Sequence, residues 1–117
     1  MKAIDTNVLA RFFIDDGNDA EAAKQYPAAV AALAERSFVS ITVLLEFECV
    51  MRGFYKLPPS QIARVMQALD RARQRLGFLI GRDAQLALQG IYAALVLAER
   101  FTAAAAARVG AHQRALP

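Results

Sequence analysis

Cysteine and histidine occur once each, as Cys49 and His112, and each scarcity removes a class of chemistry. One cysteine can form neither an intrachain disulfide nor a cysteine-based zinc site, and it fits a reducing cytoplasm. One histidine, placed in an alanine-rich ending, is a poor base for a Ser/His/Asp or Cys/His nucleophile system. No Walker-type phosphate loop is present and no Gly-x-Gly-x-x-Gly follows a strand, so nucleotide-binding folds lack their anion cradle. Long apolar runs are missing too. Ala84 to Ala98 carries Gln85, Gln89 and Gly90 and falls short of the roughly 20 residues a bilayer needs, so it reads as a buried helix and no membrane is expected. Lys2 could open a signal peptide, but Asp5 and Arg11 interrupt the apolar stretch that should follow, and secretion is not expected.

What is present suits one compact domain. The chain has 117 residues, of which 56% are apolar. A domain of that size buries about two thirds of its unfolded surface and needs no covalent staple. Net charge is +3, from 14 basic and 11 acidic residues, and it is unevenly spread. Every acid lies between Asp5 and Glu99, so Arg100, Arg108 and Arg114 hold the whole excess. A basic ending permits attraction to nucleic acid without demanding it.

Strand and helix signals alternate along the chain. Residues 1–5 read as a short strand ending in a carboxylate, with a helix starting near Thr6. Asp15, Asp16, Gly17 and Asn18 form a polar break, and Asp19 is the N-cap candidate for a helix toward Arg36, interrupted at Pro27 or turning there. Ser37 to Ile41 is a buried-strand candidate, and Thr42 to about Tyr55 follows helical spacing that Gly53 does not clearly break. After Pro58 and Pro59, the apolar residues Ile62, Val65, Met66 and Leu69 predict a helix to about Arg75. Gly77 to Gly81 is a third short strand, and Asp83 is the expected N-cap of a helix carrying Leu86, Leu88, Ile91 and Tyr92. Strands separated by helices predict an α/β domain with a short, mainly parallel sheet. No strand signal follows Glu99, so a final strand is expected to be missing. Residues 1–99 then form the domain and 100–117 an Ala/Arg-rich tail, helical and then frayed.

Three acids stand out. Asp5 ends the first strand, where open parallel sheets gather ligands, and it also suits the N-cap of the next helix; the two roles are compatible. Glu46 has Thr42, Val43, Cys49 and Val50 as its helical neighbours and no base among them, so it must be protonated, hydrogen-bonded or paired with a cation. Glu48, by contrast, has Arg52 at i+4 and reads as a surface pair. Glu99 likewise lacks a basic turn neighbour, and reads either as a surface glutamate or as a third member of the set. If the three converge, a hard divalent cation such as magnesium would relieve their repulsion. Arg71, Arg73 and Arg75 suit a solvated helix end or an RNA-binding stripe. Phe12, Phe13, Phe47, Phe54 and Tyr55 are expected in the core.

Met-Lys-Ala-Ile-Asp-Thr-Asn-Val-Leu-Ala-Arg at the N-terminus, with Val-Ser-Ile-Thr-Val-Leu-Leu-Glu-Phe-Glu from Val39, resembles the PIN-domain family and, within it, the VapC ribonuclease toxins of toxin-antitoxin pairs. The resemblance covers residues 1 to about 70. It implies a three-layer α/β/α sandwich whose acids hold Mg2+ or Mn2+ and activate a water that cleaves RNA. Asp5 and Glu46 would be metal ligands, and Thr6 and Asn7 would orient the acid or the water. The implied partners are a cognate VapB-like antitoxin and a second copy of the chain. Beyond residue 90 the sequence departs from the family. Glu99 occupies the slot of a third acid usually given by Phe-Ala-Asp-Ala-Leu, and the family's later Thr-x-Asp has no counterpart. Reduced activity is therefore expected, with a non-catalytic remnant that binds an antitoxin as the alternative. A change of reading frame near residues 90–100 would produce such an ending.

Overall fold

The computed structural model of the chain describes residues 1–14 and 19–115, so the polar break at Asp15 to Asn18 lies outside the described residues, as does the side chain of His112. Three strands and five helices alternate: β1 (Lys2–Ala3), α1 (Thr6–Phe13), α2 (Ala20–Ala34), β2 (Ser37–Val39), α3 (Ile41–Gly53), α4 (Pro59–Leu76), β3 (Leu79–Ile80) and α5 (Arg82–Ala115). This is an α/β fold, mostly helical, around a small parallel sheet of order β1-β2-β3. Lys2 pairs with Ser37 and Ala3 with Phe38, while Phe38 and Val39 pair with Leu79 and Ile80. A helix pair fills each crossover, as parallel neighbours require.

Caps fix where the helices begin. Asp5, Asp19 and Ser40 each accept a backbone N–H from the first turn of α1, α2 and α3. Gly77 closes α4 in the left-handed region at φ 80°, which a side chain would strain. Asp83 lies one residue inside α5 rather than capping it from outside, and its carboxylate accepts the neighbouring Ala84 N–H at 2.8 Å. Pro27 does not interrupt α2. It is solvent-exposed, so the carbonyl one turn earlier that loses its donor can turn to water. Gly53, on the other hand, is the last residue of α3.

The core gathers on β2 and the inner helix faces. Leu44, Phe47 and Met51 give α3 a buried stripe at helical spacing, meeting Leu9 of α1, Leu33 of α2, Ile62, Met66 and Leu69 of α4, and Leu88 of α5. Each such side chain contributes about 1.5–3 kcal/mol of transfer free energy. Two expectations about burial fail. Phe54 is 75% exposed, because α3 has ended and its ring meets Tyr55 edge-on. The segment Ala84 to Ala98 is only half buried: Ala84 and Leu88 face the core, while Leu86 and Leu97 face water. Among the described residues Leu95 is the last α5 side chain packed on the core, and the helix runs on to Ala115, about 30 Å further. The radius of gyration, 17.3 Å, accordingly exceeds the roughly 13 Å of a compact chain of this length. No helix among the described residues is long and apolar enough to cross a membrane.

Candidate functional site

Parallel register brings three helix starts to one edge of the sheet. Continuing the pairing past β1, β2 and β3 sets Asp5, Ser40 and Gly81 side by side, so α1, α3 and α5 all begin there. The edge therefore combines unsatisfied backbone N–H groups with the carboxylate of Asp5. Asp5 Oδ1 accepts the Val8 N–H at 3.0 Å, so one of its oxygens is committed to the cap.

Glu46 reaches the same edge from α3. Because Leu44, Phe47 and Met51 turn inward, Glu46 stands on the exposed side of that helix, and α1 packs alongside. The Thr6 hydroxyl donates to Glu46 Oε2 at 2.9 Å, joining residues 40 apart in the chain. Of the three ways Glu46 could be accommodated, hydrogen bonding is the one observed, together with exposure to solvent. Thr6 is the residue after Asp5, so the two backbones lie about 3.8 Å apart at Cα. Phe13, at the far end of α1, meets Phe47 in the middle of α3 with ring centroids 6.3 Å apart.

Neither Asp5 nor Glu46 has a lysine or arginine partner among the described residues. Arg52, on the same helix as Glu46, is engaged by Glu48 through two hydrogen bonds of 3.1 and 3.2 Å. The Glu48 carboxylate raises the Arg52 guanidinium still further above its ordinary value, chiefly by that hydrogen bond. Asn7 is exposed, and its amide makes no hydrogen bond among the described residues. Oδ2 of Asp5 and Oε1 of Glu46 are left to accept from other groups. Two carboxylates with open oxygens and no competing cation fit a hard divalent ion that keeps several of its waters.

Glu99 is not part of this pair. It is exposed on α5, about 26 Å along the helix from Arg82. Among the described residues no three His, Cys, Asp or Glu side chains come together to hold a metal ion. One contributor escaped the sequence reading: Ser40, whose hydroxyl accepts the Val43 N–H at 3.2 Å, caps α3 next to Asp5. Its signal was local, a serine between a β-branched strand and a helical run. Comparison of the chain with protein-family models, with curated proteins and with solved structures finds no match.

Proposed function

We propose that the chain is a VapC-like, metal-dependent endoribonuclease with a PIN-like α/β/α architecture, and that Asp5 and Glu46 form its metal-holding pair. The observation that carries this reading is the Thr6–Glu46 hydrogen bond, which ties the Asp-Thr-Asn segment to the glutamate of the third helix that the family resemblance makes a metal ligand. Mg2+ or Mn2+ held there would supply charge neutralisation at the phosphate and an activated water. The chain's own groups do the positioning. Asp5 is held by its cap, and Thr6 orients Glu46 by donating to Oε2, which leaves Oε1 for the ion. Asn7 offers an amide at the same edge to orient that water or a phosphate oxygen.

A second reading is favoured by Glu99, which stands in solvent away from the pair, and by the lack of any acid after it. Two carboxylates hold a divalent cation more weakly than three or four, and on this reading catalysis is lost while a surface for a VapB-like antitoxin or a second copy persists. The deciding experiment is cleavage of a mixed-sequence RNA by the purified chain with Mg2+, with Mn2+ and with EDTA, beside Asp5→Asn and Glu46→Gln. Metal-dependent cleavage lost in both variants supports the nuclease. Cleavage in EDTA, or cleavage indifferent to both changes, sinks it. No cleavage with retained antitoxin binding selects the remnant.

A further inference from the structure

The arginine run near the end of α4 is not uniform. Arg73 is held by Asp70 at 3.1 and 3.3 Å. Arg71 and Arg75 are exposed and have no carboxylate partner among the described residues. They stand at i and i+4, on one helix face, where like charges repel. With Gln74 and Ala68 of the same helix they line an open groove of about 510 Å³ whose other lining residues are Phe12 and Phe13 of α1. That volume lies within the about 300–1,000 Å³ of ligand sites. The rings are braced: Phe12 meets Phe13 edge-on at 4.7 Å and stacks on Tyr26 at 5.9 Å and 18°. Phe12 and Phe13 end α1, whose first residue is Thr6, so the groove lies about one 12 Å helix length from the Asp5 edge.

We propose that this groove binds a segment of single-stranded RNA, with bases against Phe12 and Phe13 and phosphates on Arg71 and Arg75. Aromatic rings facing unpaired arginines are the combination that single-strand binders use, since any base can stack and every linkage carries a charge. The choice of RNA over another acidic polymer rests on the proposed nuclease reading. The groove itself rests on the braced rings and on two arginines that have no carboxylate partner among the described residues.

The test is fluorescence anisotropy of a short labelled oligouridine with the full chain, in EDTA and across a salt series, so that cleavage plays no part. Both arginines are exposed, and circular dichroism checks that Arg71→Gln/Arg75→Gln is folded. The double change should weaken binding roughly tenfold at low salt and flatten the slope of log affinity on log salt by about 1.4, two single-strand phosphate contacts' worth. Arg36→Gln, which removes an exposed arginine outside the groove, should leave the affinity nearly unchanged, and because binding is read without metal, a failed nuclease and a failed groove read differently. Affinity and slope unaltered by the double change would overturn the proposal. So would polyglutamate binding that the double change abolishes while oligouridine binding stands, which assigns the groove to an acidic protein segment.

Discussion

Thr6 and Glu46, 40 residues apart in sequence, are joined by a 2.9 Å hydrogen bond from hydroxyl to carboxylate. Since Thr6 begins α1 and Glu46 projects from α3, the bond depends on both helices starting from adjacent parallel strands. It should be measurable as a coupling. In a double-mutant cycle of Thr6→Val and Glu46→Ala, urea unfolding should give an interaction of about 0.5–1 kcal/mol, toward the low end for a charged acceptor because Glu46 is exposed. Additive single changes would mean that Glu46 is not held by Thr6.

Asp5 has two separable duties, and asparagine distinguishes them. Asn caps a helix about as well as Asp, whereas alanine loses about 0.5–2 kcal/mol at such a position. Without added metal, Asp5→Asn should therefore melt near the unmodified chain and Asp5→Ala below it. With magnesium at ten times its dissociation constant, the unmodified chain should gain about 1.4 kcal/mol by mass action. Asp5→Asn and Glu46→Gln should lose that gain, while Glu99→Gln, which alters an exposed carboxylate on the far part of α5, should keep it. A magnesium-induced shift that survives Asp5→Asn would remove Asp5 from the metal pair.

What could be read ahead of the structure was governed by neighbours in sequence. Asp19 as a cap and a strand starting at Ser37 each depend on a few adjacent residues, and each sits where local chemistry puts it, although β2 ends at Val39 rather than running to Ile41. The meeting of Thr6 with Glu46 depends on strand register, and no periodicity within either helix encodes it. Burial along α5 was harder still. Leu86 faces water from the outer side of the packed part of α5, while Leu97 and Phe101 face water because the helix outruns the body it packs on. Periodicity identifies a face without counting the partners available to cover it. Pro27 shows the opposite limit: one lost N–H in a 15-residue helix costs less than the remaining bonds and packing supply.

Ser37 offers a stability test independent of any function. It is 1% exposed on the central strand β2, and its Oγ has no hydrogen-bond partner among the described residues, although the backbone of that strand is bonded on both sides. A buried hydroxyl left unpaired costs about 1–3 kcal/mol relative to water, and alanine removes it at the expense of a very small void. Alanine's weaker strand preference offsets a few tenths of that gain. Ser37→Ala should therefore raise the unfolding free energy by about 0.5–1.5 kcal/mol, read as a higher urea midpoint at an unchanged slope. A lower midpoint would mean that the hydroxyl has a partner, such as a buried water, whose loss outweighs the relief of desolvation.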